Sequence, residues 1–223
     1  MSRVIAVVQA RLGSSRLPRK VLAEINGFPM LGHVLERAQA IRGVDEIVLT
    51  TPMPEAPQLR GLPGVDRWVP HNPPNVLMGF LDAVQRTEAD VVMRLTGDNP
   101  LLDPDLCERV LQLIGSSNYA HNLNPPTFWP EGLDVQVFRR ETLEWEAMQP
   151  DINQEHPGQW IQSYGVGRIL SAPYDLRAHH WTVDTAEDLA RVRAIYAHLT
   201  PGDFSWQATL RAAREAGACG SGD

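Results

Sequence analysis

Short apolar runs that alternate with helical patterns constrain the fold of this chain more than any other feature. Residues 4–8 form a continuous, largely β-branched run, and residues 46–51 form a second one. Strands buried on both faces of a parallel sheet have this character, whereas half-exposed strands alternate. Between the two runs, apolar residues recur at helical spacing: Met30, Leu31, Val34, Leu35, Ala38 and Ile41. The first fifty residues therefore predict one βαβ unit.

The same rhythm continues through the rest of the chain. An apolar-periodic segment at 76–84 precedes a strand at 90–95, and a helix at 105–114 follows the Gly-Asp-Asn-Pro turn at 97–100. Residues 132–138 instead alternate, which predicts a half-exposed strand that extends the main sheet. The remaining pattern predicts helices at 140–148, 154–164 and 186–199 and a short strand at 181–183. Together these elements predict an α/β domain with three layers and a mostly parallel sheet.

The acidic charge balance argues against a broad nucleic-acid-binding surface. The formal net charge is −7 over 223 residues, whereas nucleic acids are bound by clustered basic surface. The sequence has no apolar stretch long enough to cross a membrane and no pattern of a secretory signal. We therefore expect no nucleic-acid partner, no membrane association and a cytoplasmic location. Cys107 and Cys219 fit no metal-ligand spacing.

Lysine usage singles out one loop. Of the 20 basic residues, Lys20 is the only lysine and all others are arginines. A compact ammonium group contacts a phosphate as a point charge, in a geometry that the broader guanidinium fork does not reproduce. The pattern therefore favours a phosphate-binding role for Lys20, with chance as the alternative.

The loop that contains Lys20 has the composition of a polyphosphate site. Residues 9–20 follow a buried strand and combine a glycine, two serines and several cations with backbone N–H donors. No Gly-Lys-Ser/Thr sequence is present, so the loop is not a Walker A motif. A plain solvated basic loop is the alternative interpretation.

Two aspartates follow strand-like runs elsewhere in the chain. Asp98 lies in the Gly-Asp-Asn-Pro turn, and Asp184 follows the run at 181–183. Taken alone, Asp98 could be an ordinary turn residue and Asp184 a helix cap. Ligands of open parallel sheets bind beyond the carboxyl ends of the strands. Two carboxylates facing a cationic loop at that edge are the arrangement expected for Mg²⁺ that bridges protein and triphosphate.

Five segments together resemble the cytidylyltransferase family. They are QARLGSSRLPRKVL at 9–22, VVMRLTGDNPLLDP at 91–104, PEGLDVQVF at 130–138, EH at 155–156 and WTVDTAEDL at 181–189. The resemblance is to the spore coat polysaccharide biosynthesis proteins of the SpsF type and, more distantly, to CMP-Kdo and CMP-sialic acid synthetases. It spans nearly the whole chain, and the order of the segments makes it specific.

The resemblance implies a nucleotide-diphospho-sugar-transferase-like α/β/α fold that binds CTP, Mg²⁺ and a small acceptor, possibly a sugar acid. It implies that Arg11, Lys20 and Asp98 are catalytic and that Asp98 and Asp184 hold the metal. Nucleotide-binding residues would be Ala10, Arg11, Gly13, Ser14, Lys20, Thr96 and Gly97. Acceptor-binding residues would be Arg94, Asp134, Glu155 and His156.

The resemblance also bears on organisation and assembly. Residues 1–216 are expected to form one domain, with a β-arm and acceptor region at about 120–165 and a disordered tail at 217–223. The segment 132–138 is similar to the family's β-arm, which lines the acceptor pocket and often contributes to a homodimer. We therefore expect a homodimer.

Three positions depart from the family pattern. Arg19 replaces a usual glycine, Asn75 replaces an acid and Gly79 replaces an arginine. Two other functions therefore stay open. One is a glycosyltransferase that uses a nucleotide-sugar donor, since a shared fold does not fix the reaction, although no Asp-x-Asp pair is present at 97–100. The other is a catalytically silent nucleotide-binding protein.

Overall fold

A computed structural model describes residues 2–73, 75–123, 125–149, 155–165 and 167–218. The strands are β1 Val4–Gln9, β2 Glu24–Ile25, β3 Phe28–Pro29, β4 Glu46–Pro52, β5 Arg67–His71, β6 Val91–Thr96, β7 Tyr119–His121, β8 Gln136–Arg139 and β9 Arg168–Ile169. The helices are α1 Met30–Gln39, α2 Ala56–Leu59, α3 Val76–Thr87, α4 Pro104–Leu113, α5 Arg140–Ala147, α6 Gln159–Ser163, α7 Ala186–His198 and α8 Trp206–Glu215, and a 3-10 helix spans Lys20–Leu22.

The main sheet has seven strands in the order β5-β4-β1-β6-β8-β7-β9. Strands β5, β4, β1 and β6 are parallel, while β8 is antiparallel to both β6 and β7. Strands β8, β7 and β9 thus extend the parallel part, and β2 and β3 form a separate hairpin. The mostly parallel α/β sheet predicted from the sequence is confirmed.

Helices cover both faces of the sheet because the strands are apolar on both. From β1, Ala6 and Val8 pack into one cluster with α1, α4, α7 and α8. Ile5 and Val7 pack into the other cluster with α3, α5 and α6. All four of these side chains are fully buried. Burial of this kind stabilises the fold by about 25 cal/mol per Å² of apolar surface.

Segment 132–138 differs from its predicted exposure. Its part in β8, from Gln136 to Phe138, is buried rather than half-exposed. The alternation is genuine, but the polar Gln136 side chain is paired instead of solvated: it accepts a hydrogen bond from Arg94 at 2.5 Å and donates one to the Tyr119 hydroxyl at 2.7 Å. A satisfied polar group can be buried at little cost.

The predicted strand at 181–183 is also wrong. The described residues there form no strand, because the backbone binds two different loops: Trp181 N–H donates to Glu131 O at 2.8 Å, and Val183 N–H donates to Asp98 O at 3.0 Å. The helix predicted at 154–164 is observed only at Gln159–Ser163, and residues 150–154 lie outside the described ranges.

Some predictions reach residues that the structure does not describe. From position 219 onward, the predicted tail lies outside the described ranges, while Ala218 still donates a backbone hydrogen bond to Ala213 O at 2.8 Å. The buried thiol of Cys107 is free. Of the helices in the described ranges, none combines the length and the apolar character that crossing a membrane requires.

Candidate active site

The candidate site lies at the carboxyl edge of the parallel strands. Strands β1 and β6 end side by side, with Gln9 opposite Thr96. Gly97 N–H then donates to Gln9 O at 2.8 Å. A Cβ at position 97 would lie 3.0 Å from the Ala10 Cβ and 3.1 Å from Gln9 O. Glycine at 97 therefore lets the two turns that follow these strands approach closely.

Lys20 joins three parts of the chain at this edge. Its Nζ donates to Asp98 Oδ2 at 2.7 Å, to Asp184 Oδ1 at 2.7 Å and to Val183 O at 2.8 Å. Only 8% of the Lys20 side chain is exposed. The convergence expected from the sequence, with the cationic loop facing both aspartates, is therefore present.

Asp184 is held in place by the start of α7. Thr185 and Asp188 form a capping box: each side chain accepts a hydrogen bond from the backbone N–H of the other. Asp188 also accepts from Asp184 N–H at 3.1 Å. Because Thr185 is the cap, Asp184 is not consumed as a helix cap and its carboxylate faces the first loop.

The charges around Asp184 favour its ionised form. Partial burial is the largest influence and raises its pKa, but the hydrogen bond and charge of Lys20 and the charge of Arg16 together lower it more. Arg16 pairs with Asp184 Oδ2 at 2.9 Å. Arg16 was not among the predicted site residues, although it belongs to the same basic loop.

A second connection crosses the site from Arg11 to Glu155. The guanidinium NH1 lies 2.5 Å from Glu155 Oε1, and both side chains are substantially exposed. The backbone that follows Glu155 is anchored by the buried Glu146, which accepts hydrogen bonds from Gly158 N–H at 2.9 Å and Trp160 N–H at 3.1 Å. Burial raises the pKa of Glu146. No sequence pattern pointed to this role of Glu146.

Arg94 connects the three neighbouring strands β1, β6 and β8 through hydrogen bonds. It donates to Gln136 at 2.5 Å and to Gln9 Oε1 at 3.3 Å. Its Nε is buried and lacks a hydrogen-bond partner among the described residues. Burial lowers the pKa of Arg94. The pKa of Asp134 is raised by burial, and its carboxylate accepts a hydrogen bond from Gly132 N–H at 3.1 Å.

These side chains surround one pocket of about 430 Å³. Its lining includes every residue predicted for the site except Asp134. The predicted residues in the lining are Ala10, Arg11, Gly13, Ser14, Lys20, Arg94, Thr96, Gly97, Asp98, Glu155, His156 and Asp184. Gln9, Ser15, Arg16 and Val21 also line it.

The donor set fits a divalent cation that is bound together with a ligand. Asp98 and Asp184 offer carboxylate oxygens on either side of one position, and Mg²⁺ prefers one or two carboxylates plus waters and substrate phosphates. Within the described ranges, no group of three or more His, Cys, Asp or Glu side chains could hold a metal ion. Such a cation would therefore need further ligands from the substrate or from water.

Asn75 and Gly79, which depart from the family pattern, each fit their local surroundings. Asn75 caps α3, since its side chain accepts from Met78 N–H at 3.0 Å. A Cβ at Gly79 would lie 2.4 Å from Thr50 Oγ1 and 3.1 Å from His71 Nδ1, so α3 packs too closely on β4 and β5 for a larger side chain.

A smaller pocket of about 120 Å³ adjoins the main pocket on that side. The two pockets share Gln9, Ala10, Arg11 and Glu155. His71 lines the smaller pocket and is buried, and this burial lowers its pKa.

Comparison with known proteins yields a consistent set of relatives. A family model described as Cytidylyltransferase matches residues 5–133. The spore coat polysaccharide biosynthesis protein SpsF of Bacillus subtilis (strain 168) is 28% identical over an alignment of 215 positions, and the match covers 88% of this chain and 87% of SpsF.

Solved structures share the fold at lower identity. A cytidylyltransferase from Leptospira borgpetersenii serovar Hardjo-bovis (strain JB197) superposes with a TM-score of 0.88 at 21% identity, covering 98% of this chain and 96% of that one. A CMP-2-keto-3-deoxy-manno-octonic acid synthetase complexed with CTP gives 0.68 at 23%, covering 88% and 99%. The manganese complex of Rv0371c from Mycobacterium tuberculosis H37Rv gives 0.61 at 20%, covering 86% and 98%.

The structural likeness establishes the nucleotidyltransferase-like fold, and the family match covers more than half of the sequence, including the first loop and the Asp98 turn. On these grounds, the chain belongs to the cytidylyltransferase family.

Proposed function

We propose that this protein transfers CMP from CTP to a small acceptor, a sugar acid or a related polysaccharide precursor, and releases pyrophosphate. The observation that carries the proposal is the meeting of Lys20 with Asp98 and Asp184 in one pocket at the carboxyl edge of the sheet. A relative named for spore coat polysaccharide biosynthesis and a structural neighbour complexed with CTP support the choice of substrates.

The first loop is proposed to bind the triphosphate. Arg11, Arg16 and Lys20 bring three cations to the pocket, and Gly13 and Ser14 line it between them. Cations and backbone N–H groups are the usual partners of polyphosphates. Thr96 and Gly97 would lie near the nucleoside, because they line the same pocket across from the loop.

Asp98 and Asp184 are proposed to hold Mg²⁺. When bound, the cation would neutralise charge on the phosphate oxygens. The contribution of this chain is to place two carboxylates beside the triphosphate loop. A neighbour of the same fold that was solved as a manganese complex supports the use of a divalent cation.

The reaction would be an in-line displacement. The oxygen of an acceptor hydroxyl forms a bond to the α-phosphorus and releases its proton to solvent. The bond from that phosphorus to the bridging oxygen breaks, and pyrophosphate leaves with the electron pair. Negative charge accumulates on the phosphoryl oxygens and the leaving group, where Arg11 and Lys20 would stabilise it. The protein therefore acts by positioning and electrostatics.

The acceptor is proposed to bind on the side of Glu155 and His156. His156 is exposed, and both His156 and Arg94 line the pocket. A carboxylate on the acceptor could accept hydrogen bonds from either of these residues, whereas Glu155 can accept hydrogen bonds from sugar hydroxyls. Asp134 lies outside the pocket lining, so the pocket gives no support to its proposed acceptor role.

The test combines binding with turnover. We expect CTP with Mg²⁺ to raise the thermal midpoint more than other nucleotides, because a ligand of the folded state stabilises it. Pyrophosphate release is then measured with candidate sugar acids. A preference for nucleotide-sugars would favour a glycosyltransferase, and binding without pyrophosphate release would favour a catalytically silent protein.

Two variants test the proposed catalytic groups. Lys20→Ala and Asp98→Ala should each lower turnover at least about a hundredfold, since loss of one such contact costs on the order of 3 kcal/mol of transition-state stabilisation. Arg177→Ala is the control, because Arg177 forms an exposed ion pair with Asp175 outside the pocket. A loss below about tenfold in both variants would reject the assigned roles.

Assembly and location complete the proposal. We propose a homodimer that works in the cytoplasm. Light scattering of the purified protein measures the mass, and a monomer would reject the dimer.

A further inference from the structure

Every cation that the first loop turns toward the pocket is paired with a carboxylate of the protein. Arg11 lies 2.5 Å from Glu155, Arg16 lies 2.9 Å from Asp184, and Lys20 lies 2.7 Å from both Asp98 and Asp184. Both arginine side chains are more than half exposed, so water screens these pairs. The Lys20 side chain, in contrast, is only 8% exposed.

The ammonium group of Lys20 occupies the space between the two proposed metal ligands. Asp98 Oδ2 and Asp184 Oδ1 both lie 2.7 Å from Nζ. A Mg²⁺ ion that bound the same two oxygens would compete with Nζ for them, because Mg²⁺ binds carboxylate oxygens directly. Two cations held by the same pair of oxygens would also repel each other. Lys20 and a divalent cation therefore compete for these two carboxylates.

We propose that Lys20 is a built-in competitor of the metal, which keeps Asp98 and Asp184 together and occupied until a nucleotide offers its ammonium group another partner. The inference rests on the proposed function and adds the order in which the nucleotide and the metal engage these side chains. The triphosphate draws Lys20 away from the aspartates, and the two carboxylates then become available to the metal. The exchange leaves each charge paired before and after.

The exchange couples the two ligands thermodynamically. A divalent cation alone has to displace a buried ammonium group from both of its carboxylate partners and leave it only the Val183 carbonyl oxygen, which is costly. A triphosphate alone would remove the cation from two carboxylates that then repel each other. Binding of either ligand therefore lowers the free-energy cost of binding the other, so the two adjacent sites are positively coupled. The geometry explains why two aspartates on separate segments can lie close together without a metal.

The test measures Mn²⁺ binding to the nucleotide-free protein by electron paramagnetic resonance. Lys20→Met removes the ammonium group and keeps an unbranched side chain, so the two carboxylates lose their competitor. We expect this variant to bind Mn²⁺ at least tenfold more tightly than the wild type. Lys20→Met combined with Asp98→Asn should lose that gain, because only one carboxylate remains.

Arg42→Met is the matched control. Arg42 also bridges two carboxylates, Asp105 at 3.2 Å and Glu108 at 2.6 Å, which lie one turn apart on α4 and outside the pocket lining. Arg42 and Asp105 are both largely exposed, so water already screens this pair, and Mn²⁺ affinity should stay within twofold of the wild type when Arg42 is removed. An equal gain in this control would mean that any unpaired acidic pair binds Mn²⁺, and it would overturn the inference.

Circular dichroism and a thermal midpoint establish that each variant is folded. If Lys20→Met does not fold, Lys20→Gln provides the same test with a polar side chain. A Mn²⁺ affinity within twofold of the wild type in the folded variant would overturn the inference. That result is distinguishable from failure of the proposed function, because this assay contains no nucleotide and pyrophosphate release is measured separately on the wild type.

Discussion

Gly132 lets the chain pass directly behind the segment that carries Asp184. Its φ is +105°, and an added Cβ would lie 2.6 Å from both Thr182 N and the Trp181 carbonyl carbon. Those contacts are with backbone, which cannot rotate away as a side chain can. The substitution Gly132→Ala should therefore push residues 181–184 outward and move Asp184 relative to Lys20.

Two costs add up in Gly132→Ala. A positive φ costs a residue with a Cβ about 1–2 kcal/mol, and overpacking against rigid neighbours costs about 1–3 kcal/mol. We expect the free energy of unfolding to fall by about 2–5 kcal/mol. Gly27 provides the matched control, because its φ is +77° and nothing lies within 4 Å of an added Cβ. Gly27→Ala should show the first cost alone.

The two variants are compared by urea denaturation and by pyrophosphate release. Gly132→Ala should also lower turnover by about tenfold, since misplacing a reacting group by a fraction of an ångström is costly. Gly27→Ala should keep wild-type turnover. If Gly132→Ala loses no more stability than Gly27→Ala, the close approach behind Asp184 is not a constraint, and the reasoning fails.

Two further predictions concern backbone strain and pH. Arg19 has a φ of 60° and donates a hydrogen bond to Gln58 at 2.7 Å outside the pocket. The substitution Arg19→Gly should relieve backbone strain and so stabilise the fold. Glycine's larger loss of chain entropy on folding and the loss of one hydrogen bond should oppose that gain. The free energy of unfolding should change by less than about 1 kcal/mol, and turnover should stay within twofold of the wild type because Arg19 contacts Gln58 outside the pocket. A larger change in turnover would contradict this prediction. Burial lowers the pKa of His33 below 6.5, so the unfolded chain binds its proton more readily and stability falls as the pH drops from 6.5 through the folded pKa. His33→Gln should weaken that dependence in urea titrations at pH 7 and pH 5, and an unchanged pH slope would refute it.

The sequence was sufficient to predict the parallel core and the edge at which the site lies. Strands β1, β4 and β6 are apolar on both faces, a pattern that is typical of central strands in a parallel sheet. Once their order along the chain was clear, the loops that follow β1 and β6 had to share one edge. The convergence of Lys20 with Asp98 follows from that topology.

Pairing between distant polar groups was not predictable. The polar side chain of Gln136 predicted an exposed position. It is buried because it is hydrogen-bonded to Arg94 and Tyr119 on neighbouring strands. Helix α8 was also missed, although Trp206, Leu210 and Ala213 recur at helical spacing and are buried. The extended run at 181–183 had the character of a strand, but its hydrogen bonds go to separate loops.

The sequence did not predict which basic side chain pairs with which carboxylate, and this pairing determines how the site binds its ligands. Lys20 is 78 residues from Asp98 and 164 from Asp184, and Arg11 is 144 residues from Glu155. Proximity along the chain therefore carries no information about these partners. A loop whose cations pointed freely into solvent would bind a triphosphate at once and leave the aspartates open to any metal. Because Lys20 is instead buried between both carboxylates, binding requires an exchange of partners, and the same three side chains then govern both the resting state and the proposed reaction.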